Sequence, residues 1–209
     1  MSTGVGRPRA SGAAASRQDA RQAVMDAAAE LFTGAGYAAT TTRAIAERAG
    51  LRQASLYYHF PAKEDLLAAL LAQTVRPSLD VARALLKVDA PAPTRLWALS
   101  YSDIHLLGGG PHNLGALYLL PEISAPGLAD FRAERSELKD AYRALIEGPA
   151  ALTDLVFGLV ESTALVRRDT PTVDIEAHAR HGADAVLRIT GSEPGAMLHA
   201  AALRLLKDS

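Results

Sequence analysis

Residues 41–67 read TTRAIAERAGLRQASLYYHFPAKEDLL, and this stretch decides the fold. The three threonines at 40–42 offer hydroxyls to cap a short helix from Thr42 to Ala49, with Ile45, Ala46 and Ala49 on its apolar side. Gly50 permits the backbone of a tight turn, and Ala46, four positions earlier, is small enough to let a second helix approach. That second helix runs from about Gln53 to His59, and Pro61 closes it. Leu51 and Leu56 wedge the pair together. The opposite face of residues 52–59 is then left to Arg52, Gln53, Ser55, Tyr57, Tyr58 and His59. Hydrogen-bond donors and aromatic bodies on a short exposed helix suit the major groove of DNA. For Tyr57 a core position beneath the helix is the alternative, and for Arg43 a solvated helix charge.

Working outward, Val24, Ala27, Ala28, Leu31 and Phe32 recur at helical spacing between Gln18 and Ala35, and Gly34 and Gly36 end that helix. Residues 1–17 contain three arginines, no acid and almost nothing large to bury, so a flexible basic arm is expected. Its Arg7, Arg9 and Arg17 either reach a minor groove or belong to a plain disordered tail. Downstream, Lys63, Glu64 and Asp65 open a longer helix through Leu66, Leu67, Leu70 and Leu71, which Pro77 kinks or ends. Further helices are expected at about 78–87, 94–106, 114–120, 127–147, 150–168, 173–190 and 194–207, separated by Pro and Gly signals. No stretch alternates as a strand does, so the chain is expected to be all-α.

The run from Thr41 to Leu67, preceded by a first helix ending in Gly36 and Tyr37, resembles the DNA-binding signature of the tetracycline-repressor (TetR) family. The resemblance covers about residues 18–71. Beyond the arm at 1–17, it implies a helix-turn-helix DNA-binding domain at 18–62 and a ligand-binding and dimerisation domain at 63–209. It further implies a dimeric transcription regulator, usually a repressor, that leaves its operator DNA when a small-molecule effector fills a pocket in the larger domain. Carried onto this chain, Arg43, Gln53, Ser55, Tyr57, Tyr58 and His59 stand at DNA-contacting positions, and Lys63 at a phosphate-contacting one. Thr42 and Arg52 complete the DNA-binding set. Arg43 is the best base reader, because a guanidinium bonds guanine bidentately. Arg52 and Ala54 depart from what is common in the family at those places, which puts base preference in doubt.

In the second domain, Leu152, Leu155, Val156 and Leu159 form one stripe, and Ile175, Ala179, Gly182 and Val186 another. In TetR-like proteins such a pair meets its twofold copy as a four-helix bundle, so the homodimer interface is placed there, with ordinary intradomain core as the alternative. Trp97, Tyr101, His105 and Tyr118 are candidate walls of the effector pocket, set against plain core packing.

Composition removes other classes. The chain has 209 residues, 49% of them hydrophobic, so it can bury a real core, and it has no cysteine, which removes disulfides, thiolate metal sites and thiol nucleophiles. No apolar run approaches the roughly 18 residues that span a bilayer, so a cytoplasmic protein with no membrane partner is expected. The first 60 residues carry seven arginines against four acids, a balance of +3, which leaves −4 for the rest of a chain whose net charge is −1. Eighteen arginines against four lysines reflect coding composition more than phosphate binding. No nucleophile elbow, zinc-protease motif or dinucleotide glycine pattern occurs, so no enzyme and no cofactor are expected. His178 and His181 lack a third ligand, so no metal site is expected, and the glycine run at 108–110 lacks the ending of a phosphate loop and reads as a helix break that flexes.

Overall fold

Apolar residues three and four positions apart become helices throughout the described residues. The computed structural model describes residues 10–207, and among these are ten α-helices and no strand. They are α1 (Ala10–Gly34), α2 (Thr42–Arg48), α3 (Gln53–His59), α4 (Lys63–Leu85), α5 (Ala92–Gly108), α6 (Ala129–Leu145), α7 (Ala150–Glu161), α8 (Thr163–Asp169), α9 (Ile175–Ile189) and α10 (Ala196–Leu205). Short 3-10 turns occupy Leu114–Leu119, Pro121–Ser124 and Pro126–Leu128. Among the described residues no single helix is long and apolar enough to cross a membrane. The chain divides into two compact units, Met1–Ala69 and Leu70–Ser209, and the division falls inside α4.

In the first unit, Val24, Ala28 and Phe32 of α1 bury against Ile45, Ala46 and Leu56. Thr41 caps α2, its Oγ1 accepting from the Ala44 amide at 3.1 Å. Gly50 sits at φ +68°, a conformation that costs side-chain-bearing residues, and the Leu51 amide closes the turn on the Ala46 carbonyl at 2.9 Å. Leu56 is the one fully buried side chain of α3, worth roughly 1.5–3 kcal/mol of burial, and it aims the rest of that helix outward.

In the second unit, α5 is the buried axis, with Leu96, Trp97, Ala98, Leu99, Asp103, Ile104 and Leu107 all inside. Helix α9 lies along it at close range. A Cβ at Gly182 would stand 2.5 Å from Ile104 Cδ1, and one at Gly108 would stand 2.6 Å from Ile175 Cδ1. Ala179 and Val186 are fully buried, as is Val156 of α7. Of the residues expected at the dimer interface, Val156, Ala179 and Val186 are thus buried within their own chain, while Ile175 and Gly182 are half-buried. An amphipathic stripe records that a face is covered, not what covers it. Leu155, by contrast, is 66% exposed, with Leu152 and Leu159 half-buried.

Four local expectations also change. Residues 10–17 belong to α1, whose Ala-rich opening extends the helix without needing large apolar groups, while Arg7 and Arg9 lie outside the described residues. Helix α4 does not end at Pro77 but continues to Leu85. The carbonyl that loses its amide partner there is that of Gln73, and both Gln73 and Pro77 lie on the exposed side of the helix. The expected single helix at 150–168 breaks at Ser162, whose Oγ bonds back to the Leu159 carbonyl at 2.6 Å. The glycine loop after α5 is held down: Arg167 of α8 donates to the carbonyls of Gly109 (2.7 Å) and His112 (2.9 Å), and to that of Gly110.

Candidate nucleic-acid interface

Helices α2 and α3 present their polar groups as one cluster because Leu56 and Ile45 turn their apolar sides inward. Thr42 Oγ1 and the Tyr57 hydroxyl are 3.0 Å apart, and Gln53 Nε2 donates to Thr42 Oγ1 at 3.1 Å and to the Tyr57 oxygen at 3.4 Å. Side chains at the start of α2 and along α3 are thus tied together on the surface. Tyr57 is 45% exposed and Tyr58 70%, so neither lies beneath the helix. Arg52 and Ser55 are exposed, and His59 is half-buried with its ring edge-on to Tyr58 at 5.3 Å.

Arg43 projects into solvent and donates through Nε to Glu47 Oε1 at 2.8 Å. That bond holds its pKa above the ordinary value. An exposed pair one helical turn apart exchanges readily for a stronger acceptor. Lys63 is different. Its Nζ turns inward, donating to the carbonyls of Tyr37 (2.8 Å) and Thr40 (3.0 Å) and sitting 4.1 Å above the Tyr37 ring. Two of its three protons are committed to the loop between α1 and α2, so its first role is to pin α4 to that loop.

The four pocket candidates of the second unit separate. Trp97, Tyr101 and His105 stack in succession along α5, with ring centroids 5.0 and 6.0 Å apart. Trp97 Nε1 donates to Asp184 Oδ1 at 2.7 Å, and the Tyr101 hydroxyl to Glu176 Oε2 at 2.6 Å, so both side chains are spent on α9. Burial and that carboxylate push the Tyr101 pKa up to about 12. His199 of α10 covers the Trp97 ring at 4.8 Å and shares the Asp184 oxygen at 2.7 Å. Tyr118 lines a cavity of about 170 Å³, with Gly115, Leu119, Gly158, Glu161 and Leu165 among its other walls. Trp97 and Tyr101 therefore make their polar contacts with α9, whereas His105 is exposed.

Two polar contacts on α4 escaped the sequence. The Tyr118 hydroxyl donates to Thr74 Oγ1 at 2.6 Å, and Thr74 Oγ1 donates to the Leu71 carbonyl at 2.6 Å. Ser78 Oγ donates to Asp103 Oδ1 at 2.8 Å, and the Tyr142 hydroxyl to Asp103 Oδ2 at 3.0 Å. Thr74 and Ser78 are both buried, one turn apart on either side of Pro77. Burial pushes the Asp103 carboxyl up to about 7 against the pull of its two hydroxyl donors. The only sequence signal was polar residues at apolar positions of helices otherwise buried.

The profile "Bacterial regulatory proteins, tetR family" matches residues 24–70, which hold the helix-turn-helix and the first turns of α4. The crystal structure of Mycobacterium smegmatis AmtR superposes over 90% of this chain and 94% of that one, with a TM-score of 0.84 and 45% identity. The chain belongs to the tetR family of bacterial regulatory proteins. Among curated relatives of this tetR-family chain, the "HTH-type transcriptional regulator SrpR" of Pseudomonas putida is 38% identical over 64 residues, 31% of this chain. The "Fatty acid metabolism regulator protein" of Bacillus subtilis is 29% identical over 125 residues, 60% of this chain. The matches span 30% and 63% of those two relatives' lengths. As a tetR-family member the chain is a transcriptional regulator.

Proposed function

We propose that the chain is a cytoplasmic, homodimeric transcriptional repressor that reads operator DNA through α2 and α3 and is released by a small-molecule effector. The observation that carries this reading is the Thr42, Gln53 and Tyr57 cluster, which fixes a donor-rich α3 surface while leaving its other polar groups facing solvent. Arg43, Gln53 and Thr42 are assigned to base edges. Arg52, Ser55, Tyr57, Tyr58 and His59 are assigned to docking on phosphate and sugar, with Lys63 bracing the base of α4. No catalytic role is assigned.

The dimer is proposed to form on the apolar surface left over after α9 packs on α5. Leu155 and Leu165, at 66% and 39% exposure, continue along α7 and α8 with Leu159, and Ile189 of α9 is 42% exposed. A twofold dimer reads two half-sites separated by one or more turns, roughly 34 Å each. The effector is proposed to enter the cavity at Tyr118. Displacing that ring breaks its bond to Thr74 and so acts on α4, the helix that begins at Lys63 in the DNA-binding unit.

Selection from a random duplex library, followed by fluorescence anisotropy on the enriched duplex and a scrambled one, tests the reading. A palindromic site bound at least about 1,000-fold tighter than scrambled DNA at moderate salt is expected. Equal, salt-labile binding to both overturns it. Tyr118→Ala, which removes the bond to Thr74, is expected to weaken operator binding without any compound and to abolish the further response to compounds that release the wild type.

A further inference from the structure

The donors on α2 and α3 fall into two groups once their partners are counted. Thr42, Gln53 and Tyr57 bond one another, Arg43 holds Glu47, and Lys63 holds two carbonyls. Beside them, a groove of about 550 Å³ between α1 and α3 is lined by Arg17, Ser55, Tyr58 and His59 over an apolar floor that includes Leu51 and Ala54. None of those four polar side chains makes a hydrogen bond or ion pair among the described residues, and no carboxylate lines the groove. Asp19, two positions beyond Arg17 on α1, is turned about 200° around the helix from it.

Of the neighbouring cations of the same unit, Arg52 does not line the groove and two others are engaged elsewhere. Arg21 stacks over the Phe60 ring at 4.8 Å and donates to Met25 Sδ at 3.1 Å, and Arg48 pairs with Glu30 at 2.7 Å. Arg17 thus supplies the groove's positive charge, with a serine hydroxyl, a tyrosine hydroxyl and an imidazole converging beside it. A guanidinium with neutral donors around it and no acid is the chemistry that receives a phosphate oxygen. The groove is also continuous with the proposed reading surface, since Ser55, Tyr58 and His59 belong to α3 itself.

We infer that the groove between α1 and α3 seats a phosphate of the DNA backbone, with Arg17 contacting it from the body of α1. Seating a phosphate here presupposes the DNA-binding function proposed above and adds to it a contact made by a helix instead of by a flexible arm. The contact positions the docked protein and reads no sequence, so it acts alike on every duplex.

The full-length chain is titrated by anisotropy against the selected duplex and a scrambled duplex of equal length, between 50 and 200 mM sodium chloride on the scale where such contacts are resolved. For Arg17→Ala, affinity is expected to fall several-fold on both duplexes, with the slope of log K against log salt shallower by about 0.9 per subunit. The ratio of specific to scrambled affinity stays constant. Arg17→Lys, which keeps the charge, restores the slope, and removal of residues 1–9 leaves the Arg17 effect in place. If Arg17→Ala matches wild type in affinity and slope while wild type prefers the selected duplex, the phosphate seat is overturned and the DNA-binding reading stands. A changed specificity ratio overturns it too, since the residue would then read bases. Wild-type protein with no affinity for any duplex overturns both. Arg17 is exposed, and matching far-ultraviolet circular dichroism shows that its variants fold.

Discussion

Helices α3 and α5 handle polar residues in opposite ways. Helix α3 has seven residues and buries only Leu56, so its polar side chains are spread over the surface and are available to a partner. Helix α5 has seventeen residues and encloses most of its length, so its one carboxylate, Asp103, is dry and bonded to Ser78 and Tyr142 from two other helices. A surface donor is useful because it is easily redirected, whereas a buried acceptor holds elements in one arrangement because an unmade bond there is costly. The first unit accordingly leaves polar groups open to a partner, and the second is held together by buried polar bonds.

Substitutions sharpen or break that contrast. Leu56→Ala removes the side chain that aims α3, and a loss of about 2–5 kcal/mol is expected in chemical denaturation of the first unit, with loss of duplex binding. Unchanged stability would mean that α3 is held by its surface cluster instead.

Asp103 makes the next largest difference, and it appears only with pH. Its carboxyl titrates near 7 when folded, above its unfolded value, so the folded chain holds the extra proton between about pH 4 and 7. Its contribution to stability is present below the unfolded pKa and declines as pH rises through about 7, by an amount on the order of 4 kcal/mol at most. Asp103→Asn keeps a neutral group in place and is expected to flatten the dependence of unfolding free energy on pH over that window. An identical slope in the variant would show that the carboxyl is ionised throughout.

Gly182→Ala tests the approach of α9 to α5. The added methyl meets Ile104 at 2.5 Å, and a loss of about 1–3 kcal/mol is expected in thermal unfolding with no direct effect on the α2–α3 surface. At the small end in stability, Arg43→Ala leaves the melting temperature unchanged while reducing discrimination against mismatched operator bases roughly tenfold. A variant that kept full discrimination would reassign base reading to Gln53 and Thr42.

Much of the first unit was legible in advance because its signals are local. Thr41 caps, Gly50 turns, Ala46 permits approach and Leu56 buries, all within fifteen or so residues, and each acts through its nearest neighbours. The second unit was legible only as helices. Of the residues expected to meet a partner subunit, Val156, Ala179 and Val186 are buried within the chain itself, which periodicity alone does not distinguish from an interface. Trp97 and Tyr101 looked like pocket walls with polar handles until Asp184 and Glu176, some eighty residues away, took those handles.

By itself, then, the sequence determined an all-α chain, a helix-turn-helix at 42–59 and a polar face for α3, because periodicity, capping and turn backbone are decided by residues close together in the chain. Only the tertiary structure decided which face α9 turns inward, that α4 continues past Pro77 with Thr74 and Ser78 bonded on either side, that Tyr118 meets a cavity, and that Arg17 joins His59 in one groove. These depend on contacts between residues far apart in sequence, where an apolar stripe or a lone polar group is compatible with many partners and packing selects one.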